Sequence, residues 1–335
     1  MFNISPLLIS GGCNSVYHGL DWLDSPSLIA YPCANQVLFY DPKLTKIAFS
    51  YSFSQSKLNS ARFLTDFKDK ANIFLILGYT DGSLAIINNK NISEKVNDWK
   101  LIQVKTKDEA SIHKITVFKG HKSNIFVVNR TDGKVEMYNI HTNCLTNEYE
   151  INEIAILNFG VKVQESCEFV SFDKDNVFLF LGGLDYKMHI YSVNENLSLT
   201  YLSTIKGHDN AITDIKAVKA FDNFLIASSS KDSTIRLYSL KAIKEELKEQ
   251  TEDVYQNRNS QGFLNNKQLF EISLESILNL HTEPVSSLSW SPDGQKLLSS
   301  SFDYSLLLWT KDEKSGVWVN EARLGQMAGN IKHIF

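Results

Sequence analysis

Two sets of serine, histidine and aspartate are the residues of this chain whose types and spacing could do chemistry together. In chain order they are His208, Ser228 and Asp232, and then His281, Ser299 and Asp303. The same three residue types form the nucleophile, base and orienting acid of a hydrolase triad. Both serines, however, lie in strand-like stretches without the G-x-S-x-G turn that exposes a nucleophile, and a trio that occurs twice is typical of a structural motif. We therefore expect structural hydrogen-bonded networks. The alternative is a hydrolase with a reactive serine and an open central pocket containing His208 or His281.

These residues lie in a repeated unit of two apolar strands joined by a polar turn. The turn positions are residues 34, 81, 132, 185, 232 and 303, and all of them except Ala34 are Asp. The turns recur roughly 50 residues apart, which leaves room for four short strands in each repeat and is typical of a propeller blade. The longest gap contains a charged stretch, 241–266, which we predict to be an insertion between the fifth and sixth blades, either a solvated loop or a short exposed helix.

The composition narrows the classes of function. The 335 residues are 43% hydrophobic and 21% charged, which is typical of a globular chain with a sizeable core. The formal net charge of -4 argues against binding nucleic acid through bulk charge. Direct RNA binding remains an alternative if one face is basic, and the lysines that could form such a face are Lys206, Lys216, Lys219 and Lys231.

Cofactor and membrane motifs are missing from the sequence. The four cysteines are far apart and form no C-x-x-C pair, the opening residues have no basic leader, and no apolar run is long enough for a membrane helix. We expect no cofactor, no metal, no small-molecule substrate and no membrane association.

Gly207-His208 followed by Asp232 and Tyr238 resembles a WD-repeat signature, as does His281 followed by Asp303 and Trp309. The resemblance implies an all-β WD-repeat β-propeller, of the seven-bladed type with the last blade incomplete in this chain. It also implies a buried relay in each of these repeats, from a loop histidine through a strand serine and the turn aspartate to a strand aromatic. The two implied relays are His208, Ser228, Asp232 and Tyr238, and His281, Ser299, Asp303 and Trp309. Such a relay is physically sound, because a buried carboxylate must find hydrogen-bond donors.

The expected domain organisation is a single propeller domain over 1–335, with about six complete blades and the start of a seventh. We predict the first strand of the seventh blade at 331–335. Because an open ring of blades exposes unpaired strand edges, we expect the isolated chain to be less stable than a longer form that supplies the remaining strands.

The stretch 308–330 gives a more specific resemblance. Its sequence Ser-Gly-Val-Trp-Val-Asn-Glu-Ala-Arg-Leu-Gly is similar to the segment after the sixth blade in the family of Elongator complex subunit 2, and the resemblance is weaker before residue 180. It implies the N-terminal part of a family with two propellers, the second being absent here.

Membership of that family would imply a non-catalytic scaffold in the assembly that modifies wobble uridines of transfer RNA. The implied partners are the large first subunit and the catalytic third subunit of Elongator, and transfer RNA would be met only within the complex. Any iron-sulfur cluster or acetyl-CoA would belong to a partner. The implied location is the cytoplasm, with the nucleus as a second location. The runner-up is another WD-repeat adaptor, in trafficking or chromatin, and the stretch 308–330 discriminates between the two.

Partners of WD-repeat proteins often bind the face that carries the loops before the first strands. By that resemblance the candidate partner-binding residues are Asn210, Ala211, Thr213, Lys231, Pro284, Ser286 and Phe302. Phe302, which we expect to be exposed, is the strongest candidate. The alternative for each position is ordinary loop surface, because hot spots are a minority even within real interfaces.

Overall fold

The computed structural model describes residues 21–23, 27–44, 46–90, 98–105, 110–118, 123–142, 148–243, 260–312 and 314–325. Within these residues the chain is all-β and forms six antiparallel sheets, each built from strands that follow one another closely in sequence. We call these sheets blades 1 to 6. The chain divides into two compact units: unit 1 contains residues 1–132 and 136–153, and unit 2 contains residues 133–135 and 154–335.

Blades 1 to 3 each have four strands. Blade 1 contains β1 (Asp21–Leu23), β2 (Leu28–Cys33), β3 (Gln36–Asp41) and β4 (Lys46–Ser52). Blade 2 contains β5 (Leu58–Thr65), β6 (Ile73–Tyr79), β7 (Leu84–Asn89) and β8 (Lys100–Lys105). Blade 3 contains β9 (Ile112–Val117), β10 (Asn124–Arg130), β11 (Lys134–Thr142) and β12 (Tyr149–Asn158).

Blades 4 to 6 belong to unit 2. Blade 4 contains β13 (Gln164–Ser171), β14 (Val177–Gly183), β15 (Lys187–Val193) and β16 (Leu199–Lys206). Blade 5 contains β17 (Ile212–Ala220), β18 (Asn223–Ser230), β19 (Ile235–Ile243), β20 (Ser260–Asn265) and β21 (Gln268–Leu278). Blade 6 contains β22 (Val285–Trp290), β23 (Lys296–Ser301), β24 (Leu306–Lys311) and β25 (Trp318–Leu324).

The second strands of the blades are largely buried. Every position of β6 and of β14 is buried. A strand covered on both faces needs no polar alternation, which explains the continuous apolar runs in the sequence. The fourth strand β4 instead alternates exposed and half-buried positions. Burial of each large apolar side chain, such as Phe178, contributes about 1.5–3 kcal/mol to the core.

Neighbouring blades within unit 2 pack closely because small residues face bulky ones. A Cβ atom added to Gly182 on β14 would lie 2.8 Å from Ile212 Cγ2 and 2.9 Å from Ile215 Cδ1 on β17. Only glycine allows these two strands to approach so closely. Gly182 therefore serves the close packing of blades 4 and 5.

The predicted insertion 241–266 is in part a strand. Residues 241–243 extend β19, and Ser260–Asn265 form β20, a fifth strand at the outer edge of blade 5. β20 reaches blade 4, because Asn265 Nδ2 donates to Asn176 Oδ1 at 2.9 Å and the Phe263 ring lies 5.4 Å from that of Phe178. The prediction of a solvated loop is therefore wrong for 241–243 and 260–265. Residues 244–259, which contain most of the alternative short helix, lie outside the described residues.

Candidate functional site

The relay of blade 5 begins at the tight turn between β18 and β19. The backbone N–H and the hydroxyl of Thr234 both donate to Asp232 Oδ1, at 2.9 and 2.7 Å, and Ser233 between them has a positive φ of 66°. The other carboxylate oxygen, Oδ2, lies 2.8 Å from His208 Nδ1. On the far side of the ring, His208 Nε2 lies 2.8 Å from Ser228 Oγ. The turn, the second strand and the loop before β17 are thus joined through one imidazole.

Tyr238 closes this relay at its inner end. The ring is buried on β19, and burial raises the pKa of its hydroxyl while the Arg236 charge and a hydrogen bond with Ser228 act in the opposite direction. The sequence-predicted set of blade 5 is therefore brought together in full.

Blade 6 repeats the arrangement with tryptophan at the inner end. His281 Nδ1 lies 2.9 Å from Asp303 Oδ2, and His281 Nε2 lies 2.8 Å from Ser299 Oγ. Trp309 Nε1 donates to the same serine oxygen at 2.9 Å. Because an indole can only donate, the Ser299 hydroxyl is free to donate to His281, which in turn donates to the carboxylate. This single direction of donation requires a neutral His281.

The electrostatics of the relays agree with this proton arrangement. Burial alone would raise the pKa of Asp303, but hydrogen bonds from Ser305 and His281 outweigh it and lower the pKa to about 2. The pKa of Asp232 is also lowered, since hydrogen bonds from His208 and Thr234 outweigh burial. Burial lowers the pKa of His281, and Asp303 opposes this only in part. At neutral pH an ionised Asp303 therefore faces a neutral His281.

Burial limits what these trios can do chemically. Ser228 is 1% and Ser299 0% exposed, and each hydroxyl is held against a histidine that is itself buried. A hydrolase nucleophile must meet a substrate carbonyl, whereas both of these serines are buried. The geometry favours a structural role, which is to fasten each turn to the preceding loop.

Blade 4 contains a related network that sequence reasoning missed. The turn residue Asp185 has its Oδ2 2.6 Å from His189 Nε2, and His189 Nδ1 lies 2.9 Å from Thr204 Oγ1. The Tyr201 hydroxyl lies a further 2.7 Å from Thr204 Oγ1. The histidine comes from β15 of the same blade and not from a preceding loop. A histidine four residues after the turn aspartate was the available signal.

Blade 3 uses an ion pair instead of a histidine. Arg130 Nε lies 2.9 Å from Glu136 Oε2, and both side chains are almost completely buried. The Tyr138 hydroxyl donates to the same carboxylate oxygen at 2.7 Å, and Arg130 Nη1 donates to the carbonyls of Gly82 and Ala110 at 3.1 and 3.0 Å. Burial and Glu136 both raise the pKa of Tyr138, which keeps the phenol protonated as a donor. Opposite charges on two neighbouring strands, Arg130 on β10 and Glu136 on β11, were the available signal for this network.

Three of the seven candidate partner-binding residues are not on the surface. Ala211, Thr213 and Ser286 are buried, so their assignment to an exposed face is wrong. Thr213 donates to the Val285 carbonyl at 2.6 Å, and Ser286 donates to the Ser300 carbonyl at 3.1 Å. The reason is that the first strand begins four residues after each relay histidine, so Thr213 and Ser286 already belong to the packed first strands and Ala211 directly precedes one.

The other four candidates lie at the ends of the blades. Asn210 is exposed, whereas Lys231, Pro284 and Phe302 are half-buried. The expectation that Phe302 is exposed is therefore only partly met: its N–H donates to the Pro284 carbonyl at 3.0 Å. Binding of a partner at these four residues stays a prediction.

The lysines considered for an RNA-binding face are partly neutralised. Lys231 Nζ lies 3.0 Å from Glu165, and Lys216 Nζ lies 3.6 Å from Glu168. Lys206 and Lys219 are exposed.

In the part of the chain that the structure describes, no cluster of histidine, cysteine and carboxylate residues is arranged to hold a metal ion. No helix formed by the described residues has the length and apolar character to span a bilayer.

Comparison with known proteins bears on the two complete relays. Residues 199–239 and 273–310 match the family described as WD domain, G-beta repeat. The two stretches include the whole relay of blade 5 and the whole relay of blade 6. The fold class predicted from the sequence, an all-β WD-repeat β-propeller, is confirmed. The seven-blade count is not confirmed: six blades are described, and 331–335 lies outside the described residues.

Similarity to curated proteins extends over almost the whole chain. Elongator complex protein 2 of Arabidopsis thaliana is 24% identical over 356 residues, which covers 96% of this chain and 42% of that protein. The chain resembles Elongator complex protein 2. The protein of that name from Dictyostelium discoideum is 25% identical over 96% of this chain, and that of Homo sapiens is 23% identical over 95%. The resemblance predicted from 308–330 is therefore confirmed.

This chain covers 42% of the Dictyostelium discoideum Elongator complex protein 2 and 39% of the Homo sapiens protein. It thus spans about two fifths of the length of the Elongator complex protein 2 relatives that it matches.

Proposed function

We propose that this chain acts as a non-catalytic scaffold of the Elongator complex and supports the modification of wobble uridines in transfer RNA. The observation that carries the proposal is the similarity to Elongator complex protein 2 over about 95% of the chain, in organisms as distant as a plant, an amoeba and a human. A WD-repeat propeller is a rigid platform whose fold alone does not name a partner. The relatives' shared name therefore supplies the specific part of the proposal.

The proposed partners are the large first subunit and the catalytic third subunit, and transfer RNA is met only within the assembly. The non-catalytic part is supported by the burial of Ser228 and Ser299. A seventh blade, a single propeller domain over 1–335, and a location in the cytoplasm and also the nucleus belong to the same proposal. They are supported by the resemblance alone.

The decisive experiment is affinity purification of the full-length protein from its native cells, followed by mass spectrometry. Recovery of the large first subunit and the catalytic third subunit is the expected result. Recovery of coat or chromatin proteins in their place would overturn the proposal in favour of another WD-repeat adaptor. A fluorophosphonate probe tests the hydrolase alternative on the same sample, and labelling of either relay serine would contradict the non-catalytic role.

Phe302 offers a residue-level test of where partners bind. We expect Phe302→Ala to weaken capture of the two Elongator subunits while the chain stays folded, because the side chain is only half-buried beside Pro284. Val319→Ala on β25 is the matched control, since Val319 is an exposed apolar residue of the same blade. Unchanged capture by the Phe302 variant would remove this residue from the interface.

A further inference from the structure

Two loops lie side by side at one end of blade 4. The first is the turn from Phe159 to Lys162, closed by the Lys162 N–H donating to the Phe159 carbonyl at 3.2 Å. The second is the turn from Gly183 to Tyr186, which includes Asp185. The Leu184 N–H donates to the Val163 carbonyl at 2.9 Å, and this bond ties the second loop to the end of the first.

His189 fastens the two loops together. Its Nε2 lies 2.6 Å from Asp185 in the second loop, and the centre of its ring lies 5.4 Å from that of Phe159 in the first. The loops are therefore set in place before any partner arrives. A preformed surface of this kind loses little conformational entropy on binding.

The two loops present apolar side chains to solvent. Val161 is 91% exposed, Leu184 39% and Tyr186 45%. Tyr186 also has a positive φ of 64°, a conformation that costs a bulky residue about 1 kcal/mol or more. The corresponding turn positions of blades 2 and 3 are Gly82 and Gly133, which adopt positive φ without that cost. Phe221 and Tyr304 also combine a positive φ with an exposed ring, so Tyr186 matters here for its apolar surface beside Val161 and Leu184 and not for its strain.

The charges around this apolar surface are mainly positive. The nearby carboxylates are already engaged, Asp185 with His189 and Glu165 with Lys231. Lys162 is exposed and Lys187 half-buried, and among the described residues neither ammonium group has a carboxylate within ion-pair distance. A ligand that places an acidic group beside an apolar one would satisfy both features.

We propose that Val161, Lys162, Leu184, Tyr186 and Lys187 form a docking patch, the blade 4 patch, for a segment of a protein partner that is both acidic and apolar. Its place in an Elongator scaffold rests on the proposed function, but its chemistry does not. RNA fits the patch less well than such a peptide. Phosphate binding draws on many cations, whereas the patch has two, and Val161 and Leu184 cannot stack on bases.

The test begins with a displayed library of short random peptides selected on the full chain. We expect enriched sequences to combine Asp or Glu with Leu, Phe, Trp or Tyr. A synthetic peptide of the most enriched sequence is then measured by calorimetry against the wild type and two variants. Leu184→Ala with Tyr186→Asn removes the apolar surface, and asparagine is chosen because it tolerates a positive φ. Lys162→Glu with Lys187→Glu reverses the charge.

Each variant has a matched control in blade 5. Phe221→Asn replaces an aromatic residue that is 90% exposed and also has a positive φ, of 54°. Lys219→Glu reverses an exposed lysine outside the patch. We expect both patch variants to bind the peptide at least about ten-fold more weakly, a loss of roughly 1.4 kcal/mol, while both controls bind as the wild type does.

Three results would overturn the proposal: enriched peptides without acidic residues, equal binding by patch variants and wild type, or failure to enrich any sequence. Loss of binding to labelled transfer RNA, with peptide binding unchanged, would assign the patch to nucleic acid instead. The patch variants must keep the wild-type melting temperature, and a variant that does not is replaced by Tyr186→Asn alone. Because the library contains no Elongator sequence by design, failure of the patch and failure of the scaffold proposal are separate results.

Discussion

Blades 5 and 6 hold their turn aspartates with a histidine that comes from the preceding loop, whereas blade 4 uses a histidine of its own third strand. His208 and His281 are more than twenty residues away from Asp232 and Asp303 in sequence, while His189 is four residues from Asp185. In blades 5 and 6 the histidine fixes the preceding loop to the turn, whereas in blade 4 it joins the turn to β16 and packs on the loop that contains Phe159. The difference shows that the turn aspartate is the common element and that its donor can come from several places.

Blade 3 extends the comparison to a network without histidine. Arg130 and Glu136 form an ion pair in this blade, and their side chains are only 2% and 1% exposed. A buried pair has weak net stabilising value, because desolvation offsets most of its attraction. Substituting only one partner of the pair is nevertheless costly, since the other charge stays buried without a counter-charge.

The largest effect is therefore expected for Arg130→Met. The substitution strands the carboxylate of Glu136, and we expect a loss of about 3–5 kcal/mol in the free energy of unfolding. Urea denaturation of Arg130→Met, of Glu136→Gln and of the double variant measures this loss. Arg130→Met with Glu136→Gln is expected to recover part of the loss, since the amide oxygen can still accept from Tyr138. Equal loss in the single and double variants would contradict a coupled pair.

A smaller loss is expected when a complete relay is broken. Asp303→Ala removes the acceptor of His281, Thr282 and Ser305, so buried donors lose their partner at a cost of about 1–3 kcal/mol. Thermal denaturation measures the change, with Asp303→Asn as the control that keeps an acceptor oxygen. Abolished partner binding with unchanged thermal stability would show that the relay serves recognition and not the fold.

The two networks that these variants disrupt differ in how far they could be predicted from the sequence. The relay of blade 6 could be predicted because His281, Asp303 and Trp309 follow the spacing of a known repeat. Arg130 and Glu136 follow no such spacing, and their pairing depends on which strand faces point inward. The burial of Thr213 and Ser286 was missed for a related reason: a polar residue just after a loop has the composition of surface, and only the register of β17 and β22 shows that it points inward.

The short network of blade 4 is expected to contribute less than a complete relay. His189→Phe removes two hydrogen bonds that are partly open to solvent, and we expect a loss of about 1 kcal/mol in the free energy of unfolding. His281→Phe in blade 6 is the direct comparison and should cost more, because its ring and its partners are more deeply buried. An equal or larger loss in blade 4 would show that the local network matters as much as the long-range relays.

The smallest expected effect is a difference in pH dependence between wild type and His281→Gln. Burial lowers the pKa of His281 below its ordinary value of 6.5, so the unfolded chain binds the proton more readily than the folded chain. The stability contributed by the neutral ring is complete above pH 6.5 and is lost as the pH falls below it. The gap in melting temperature between wild type and variant should therefore narrow below pH 6.5. Asp303, with a pKa lowered to about 2, adds a second loss only as the pH falls from about 4 towards 2. A gap that stays constant between pH 7 and pH 5 would contradict a lowered pKa of His281, because the folded and unfolded chains would then bind the proton equally well. A gap that widens as the pH falls would show that the relay holds a charged histidine.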